Sequence, residues 1–541
     1  MKKVKIEKLD HFGRGIFFDN KISFVADTIP GEEVEVSKIK ETSKYNIYSL
    51  DKVISKSPKR VEAKCPYFGI CGGCDLQHLS YEDGLDFKLN KVKEIFNKFR
   101  INYDDITIES NPQPYYYRNK VELKCLNNKI GFYKINSHEL VSIRSCMISS
   151  KAINDAIKEL NNISLPDCDI IIRSNYNDEV LLWFKSSHDL NVKREDFSKD
   201  LKIASIIIND KVIHGEDHLI MKVRNFLFKC SYDAFFQINP YICEKIADYL
   251  QNNVKENSVI ADLYCGVGFL GILAYSPDKK VYGIEIAENA IKDALINKKI
   301  NNIEHMIFEL GDVADVFNRI NNKIDHNIDY LIVDPPRSGL DNKTIDTIIS
   351  KNISSIFYMS CDPNTLARDL KVLQDYYDIK SVKCFDMFSY TYHIETICIL
   401  ERRKLSVYTK KEQDVINQCI NGPLYEAKTD LSKKEYDALV EKLIKDDEVR
   451  ILKALKTLYW DFNPNRVIDY LISKKDVWQL VSYLDLCNDF CTAKSGFNQK
   501  YVVDKLISEN DKQLIKDFFA TGVTFFLTDE NEKERLTSFI K

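Results

Sequence analysis

Polar and apolar residues alternate through the first 57 positions, in VKIEKL, GIFF, KISFVADTIPGEEVEVSKIK and KYNIYSLDKVI. The period of two around Val34 and Val36, the Pro30-Gly31 turn and the scarcity of helix signals predict an OB-like β-barrel over residues 1–57. Small barrels commonly hold single-stranded RNA, and a barrel without a ligand fits the pattern equally well. From 58 to 80 the chain becomes rich in Gly and Cys, and from about 84 to 232 strand and helix patterns mix. KLNKVKEIFNKF reads as a helix, NKVELKCLNNKIGFYK and LKIASIIIND as strands, so 58–232 is expected to be an α+β domain. Residues 233–403 change period again. VIADLYCGVGFLGILA, KVYGIEIAENAIKDA, IDYLIVDPPRSGL and SIFYMSCDPNTLARDL each run strand, turn, helix, which predicts a Rossmann-like α/β domain with its functional groups at the carboxyl ends of the strands. Beyond 405 the pattern is helical, with one face at Tyr436, Leu439, Val440, Leu443 and Ile444 and another at Val477, Leu480, Val481 and Leu484. A separate helical domain over 405–541 is expected, and the chain reads as free of internal repeats.

Length supports several domains, because 541 residues exceed what one core encloses. No charge-free apolar run of about 18 residues occurs, so no membrane span is expected. The Lys-containing N-terminus lacks the apolar core of a signal peptide, so a cytoplasmic, monomeric protein is expected. A net charge of −4 does not advertise a polyanion partner, although residues 1–60 hold 13 Lys/Arg against 9 Asp/Glu. The 405–541 segment, with 21 Lys/Arg and 23 Asp/Glu, is no obvious RNA clamp. Fifteen cysteines in a reducing compartment are expected to be buried small hydrophobes, except where their spacing carries meaning.

That spacing is distinctive in CPYFGICGGC. Cys65, Cys71 and Cys74 lie within ten residues, Gly72 and Gly73 let the backbone fold tightly, and Cys146 in SIRSCMI is a candidate fourth ligand. Four thiolates suit an iron–sulfur cluster or zinc, and spacing alone leaves both open. In DLYCGVGFLG a Gly-rich turn follows an apolar strand, and Glu285 ends the next strand about twenty residues on. That pairing fits an adenosyl cofactor, with the acid on the ribose. No Gly-Lys-Ser/Thr follows, which excludes a phosphate loop. Gly311-Asp312 would suit the adenine end or be an ordinary turn.

Three strings supply candidate chemistry. In DPPRSGL, two prolines stiffen the edge of a pocket, and Asp334 is a candidate contact for cofactor or base, or a helix cap. Cys361 in SCDPNTLARDL ends a strand just before a helix whose dipole favours thiolate. Glu395 sits in the apolar string YHIETICIL, either as an edge residue or as a base with a raised pKa.

In this order, CxxxxxCGGC, FFQINP, DLYCGVG, DPPRSGL, SCDPNTLARDL and HIET resemble the uracil-C5 RNA methyltransferases over roughly residues 1–403. They resemble specifically the 23S ribosomal RNA branch that carries a TRAM barrel and an iron–sulfur cluster. The resemblance implies a 4Fe–4S cluster on Cys65, Cys71, Cys74 and Cys146. It implies S-adenosylmethionine bound by Gln237, Tyr264, Gly266 and Glu285, with Asp312 and Asp334 nearby, and Cys361 as nucleophile with Glu395 as base. It also implies that part of 84–115 packs on the catalytic domain. Phe269 stands where the family commonly has a polar residue, so no side-chain hydrogen bond is expected from that position. Arg337 occupies the place where enzymes that methylate exocyclic amines carry a base-stacking aromatic. Three alternatives remain: the same reaction on transfer RNA, an inactive RNA-binding protein, and zinc at the cysteine site.

Overall fold

The structure is a computed structural model. It describes all residues except 136, 322–327, 352, 404–407, 422–430, 447, 459–463, 490–497, 522–528 and 541. It divides into two compact units, Met1–Arg402 and Arg403–Lys541. Among the described residues no helix is long and apolar enough to cross a membrane.

The N-terminal strands curl on themselves. Lys2–Lys5 pairs with Glu33–Glu41 at one edge of a six-stranded sheet, and Lys8–Leu9 pairs with Gly15–Asp19 at the other. Because Ile6 and Glu7 join those two edges, the sheet closes around Ile6, Phe17, Val25, Val34, Val36 and Tyr48.

The predicted helix over 88–99 starts earlier, at Tyr81, because Ser80 caps it by accepting from the Asp83 amide and Glu82 and Asp83 favour its first turn. NKVELKCLNNKIGFYK is a hairpin, Lys120–Leu126 against Lys129–Tyr133, turned by Asn127 and Asn128, both at positive φ. It belongs to a seven-stranded sheet backed by helix Lys151–Leu160. The other face of this sheet, through Ile171, Leu181, Trp183 and Ile207, shares one core with the hairpin His218–Val223/Phe226–Ser231 and the α/β layer that follows it.

The sheet of the α/β domain has eight strands, in the order Met306–Leu310, Lys280–Glu285, Val259–Leu263, Tyr330–Val333, Ser355–Ser360, Glu395–Arg402, Tyr377–Phe385, Ile106–Glu109. The first five are mutually parallel, and Glu395–Arg402 runs antiparallel to its two neighbours. That reversal matters for function. It puts Glu395, the first residue of its strand, at the sheet edge where the parallel strands end.

The second unit overturns the reading that the chain holds no repeat. Leu439-Val440-Glu441, Val467-Ile468-Asp469 and Val502-Val503-Asp504 are each followed, one residue later, by Leu-Ile. They lie on helices Lys433–Lys445, Asn465–Ser473 and Gln499–Ser508. These stack in one row that ends at Glu530–Ile540, beside a second row of Lys410–Asn421, Val449–Leu458, Val477–Asp489 and Lys512–Ala520. The acidic residue of each repeat pairs with a cation of the next: Glu441 with Arg466, Asp469 with Lys505, Asp504 with Arg535. This is the two-layer architecture of a helical solenoid, with its apolar positions facing a shared core. The repeat has no fixed period, because its spacing changes from 28 residues to 35 between copies.

Candidate active site

The parallel strands deliver their side chains to one edge. Tyr264 and Gly266 follow Leu263, Asp334 follows Val333 and Cys361 follows Ser360. Register supplies the rest: Ser360 pairs with Thr396, so Cys361 and Glu395 stand next to each other one step beyond.

One cavity is lined by Gln237, Asp262, Tyr264, Gly266 and Asp334. The turn that opens it needs glycine. Gly266 and Gly268 have φ of 53° and 82°, and a Cβ on Gly268 would sit 2.7 Å from Phe308. A Cβ on Gly266 would meet nothing within 4 Å, so this residue faces open space. Phe269 packs against Phe228 and Phe236.

Asp262 was not singled out in the sequence, yet it is the acid buried in this wall. Its Oδ2 accepts from the Gly271 amide at 2.8 Å, while Oδ1 is buried without a hydrogen-bond partner. Burial, with the charges of Asp334 and Glu285 adding to it, raises its carboxyl to about 8. An unpaired buried acceptor beside a cavity fits a ligand bearing a cationic donor. Glu285 lies just behind, accepting from the Gly266, Ile286 and Ala287 amides at 3.0, 2.8 and 2.9 Å. Asp312 stands outside the cavity. It is exposed, accepts from the Asp315 amide and faces Lys343, as a helix-capping residue does.

Cys361, Asp334 and Glu395 act on one another. Burial, followed by the charge of Asp334, holds the Glu395 carboxyl well above the usual carboxylate range, and its Oε1 has no partner. Burial raises Asp334 to about 7. Burial raises the Cys361 thiol to about 11, helped by Glu395 and Asp334 and opposed by a hydrogen bond and charge from Arg337. The thiolate is therefore the minor form near neutrality, and its share grows as pH rises. Alkylation of Cys361 by iodoacetamide, followed by peptide mass spectrometry, is expected to accelerate roughly tenfold per pH unit from 7 to 9. Arg337→Gln is expected to slow it further, by about tenfold. A flat profile, or no effect of Arg337→Gln, would contradict this electrostatic balance.

The four cysteines meet. Cys65, Cys71, Cys74 and Cys146 line one cavity of about 400 Å³, together with Arg337, Tyr392 and His393. A Cβ on Gly72 would lie 3.3 Å from the Tyr133 carbonyl, which explains a glycine there. Asn154 fixes Cys146 by accepting from its amide at 2.6 Å and donating to its carbonyl at 3.0 Å. Burial raises the thiols of Cys65 and Cys74, and that of Cys71 to about 11. Among the described residues no group of three or more His, Cys, Asp or Glu is arranged to hold a metal ion. His393, which burial lowers to about 4, joins this cavity to the Glu395 strand. It and Arg337 stand within the motif strings, but only the fold puts them on a shared wall.

A profile of the tRNA (Uracil-5-)-methyltransferase family matches residues 182–403. An uncharacterized RNA methyltransferase of Clostridium tetani is 33% identical over 434 residues, covering 72% of this chain and 93% of the relative. One of Aquifex aeolicus is 32% identical, covering 74% and 98%. Among solved structures, the Pyrococcus abyssi tRNA (uracil-54, C5)-methyltransferase in complex with S-adenosyl-L-homocysteine is 25% identical with a TM-score of 0.62. That match covers 74% of this chain and 100% of that one.

Proposed function

The chain belongs to the RNA (uracil-5-)methyltransferase family, and from that premise we propose that it methylates carbon 5 of a uridine in 23S ribosomal RNA through a covalent Cys361 adduct. The observation that carries the mechanism is the strand register that sets Cys361 beside Glu395 at the edge where Asp334 also ends its strand.

The cavity with the unpaired Asp262 oxygen and the open Gly266 backbone fits S-adenosylmethionine. Gln237, Asp262, Tyr264, Gly266 and Asp334 would hold it, with Glu285 buttressing the Gly266 turn. When bound, the cofactor supplies a methyl group made electrophilic by a sulfonium. Uracil carbon 5 is too weak a nucleophile to take that methyl unaided. Attack of the Cys361 thiolate on carbon 6 pushes electron density onto carbon 5 and the O4 enolate. Arg337, hydrogen-bonded to Cys361, favours the thiolate. After methylation, carbon 5 carries both the methyl and its original hydrogen. Glu395 takes that hydrogen as a proton, the carbon 5–carbon 6 double bond re-forms, and Cys361 leaves. A carboxylate whose pKa is raised by burial is a stronger base for this step than an exposed one. The base must leave its stack to reach Cys361.

The donor set supports a 4Fe–4S cluster on Cys65, Cys71, Cys74 and Cys146. Four thiols line a cavity of about 400 Å³, a donor type and number that suits such a cluster. The cluster would hold the loop wall beside the catalytic strand.

A second reading, the same reaction on transfer RNA, has a specific support. The P. abyssi enzyme, named for a tRNA uridine, matches over its whole length and across 74% of this chain. The test is methyl transfer from labelled S-adenosylmethionine to unmodified 23S and transfer RNA by anaerobically purified protein whose iron content and visible absorbance are recorded. Label in 5-methyluridine of 23S RNA is expected. Label only in transfer RNA would overturn the substrate, and iron-free, zinc-containing active protein would overturn the cluster.

A further inference from the structure

The loop Asp386–Tyr392 leads into the strand that opens with Glu395, and it is gripped at nearly every residue by a distant segment of the chain. Its anchor is Asp386, fully buried together with Lys88. Lys88 Nζ donates to Asp386 Oδ1 at 2.5 Å and to the Phe388 carbonyl at 2.9 Å. The hydroxyls of Tyr81 and Ser389 donate to Asp386 Oδ2 at 2.7 and 2.5 Å. Further along, the Asp75 and Leu76 amides donate to the Tyr390 carbonyl at 2.9 and 3.0 Å. Lys91 Nζ donates to the Tyr392 carbonyl at 3.0 Å. Asp75 directly follows Cys74, so the cysteine loop itself holds this segment. On the other side, the Asp386 amide donates to the Glu109 carbonyl at 3.0 Å, and Phe385, one residue before it, is the register partner of Glu395.

A buried ion pair gives little net stability over an apolar pair of the same size. What this one supplies is position: it pins the turn between two strands one residue from the partner of Glu395. Cys361 follows a different strand, Ser355–Ser360. We propose that Asp386, held by Lys88, is a positioning residue for the proton-abstraction step, acting through Glu395 and leaving the attack of Cys361 almost untouched. The proposal rests on Glu395 as the base. In that step the carbon 5 hydrogen passes to the Glu395 carboxylate, its bonding pair becomes the carbon 5–carbon 6 double bond, and the carbon 6–sulfur pair leaves with Cys361.

Blocking only this step leaves a methylated RNA joined to the protein. With labelled S-adenosylmethionine and unmodified 23S or transfer RNA, Asp386→Asn is expected to accumulate a protein–RNA adduct stable on a denaturing gel and carrying the label. Release should slow by about ten- to a hundredfold, while adduct formation stays within about threefold of wild type. Glu395→Gln should give the same trapped species more completely. Tyr81→Phe, which removes one bond to Asp386 and keeps the ion pair, should give it at smaller amplitude, and it decides the matter if Asp386→Asn does not fold. Formation and release slowed equally, or no adduct in a folded variant while Glu395→Gln accumulates it, overturns the positioning role alone. Failure of Glu395→Gln itself to trap the adduct overturns the base assignment, and the role of Asp386 falls with it.

Discussion

Cys361→Ala is expected to lower methyl transfer to RNA by about four orders of magnitude or more, because it removes a bond-forming atom rather than a contact. Without a nucleophile at carbon 6, carbon 5 keeps the low reactivity of free uracil, and no arrangement of the cofactor compensates. The variant should also fail to form the gel-stable complex expected of wild type with 5-fluorouridine RNA, in which fluorine replaces the hydrogen that Glu395 would remove. Affinity for S-adenosylmethionine should be unchanged, since Cys361 does not line that cavity. Stability should change little, because the thiol is only partly buried. Methylation within tenfold of wild type would refute the covalent mechanism, whatever the family resemblance.

The second large effect is expected at Asp262, and it runs in opposite directions for binding and for stability. Asp262→Asn keeps an acceptor for the Gly271 amide but replaces the unpaired carboxylate oxygen with a neutral amide. Losing a charge-assisted partner for the cofactor is worth about 2–3 kcal/mol, so its dissociation constant should rise by roughly a hundredfold. The unliganded protein should become more stable. Burial raises this carboxyl from 3.8 to about 8, so the unfolded chain gives up its proton at lower pH than the folded one. The stability that Asp262 contributes to the unliganded wild type is therefore fully present below about pH 4 and is lost as pH rises towards 8. The Asn variant carries no such loss. Calorimetric titration and thermal melts at pH 7.5 would show weaker binding with a higher melting temperature. Unchanged affinity would remove Asp262 from the cofactor site, and a lower melting temperature would mean that its carboxylate has a structural partner.

Much of the catalytic layer was legible because its signals are local. An apolar strand, a glycine turn and a helix follow one another within about fifteen residues in VIADLYCGVGFLGILA, and chain direction alone places the turn at a strand's carboxyl end. The same holds for Asp334 and Cys361. The hairpin at Asn127-Asn128 was equally local, although it was read as one extended stretch, because two residues at positive φ reverse the chain without breaking the apolar alternation. Asp312 illustrates the opposite case. Its Gly-Asp pair looks the same in sequence whether it serves a ligand or caps a helix, and its bond to the Asp315 amide is the capping one. The solenoid repeat is present in the letters but carries no regular period, because burial of a shared core tolerates loops of different length between copies.

The sequence by itself determined which residue types could do this chemistry and in what order they come: a thiol at a strand end, three clustered cysteines, a glycine turn for a nucleotide-like ligand. Each depends on neighbours within a turn or two, where backbone geometry is nearly fixed by composition. Only the tertiary structure decided which of these groups meet. That Glu395 stands beside Cys361 follows from an antiparallel strand inserted between two others. That one Asp262 oxygen is left unpaired and its carboxyl titrates high follows from the packing around it, not from the local sequence. That Lys88 holds Asp386 across 298 residues of chain follows from packing that no local pattern encodes. Protonation, pairing and alignment are properties of what surrounds a group, and those surroundings exist only once the chain has folded.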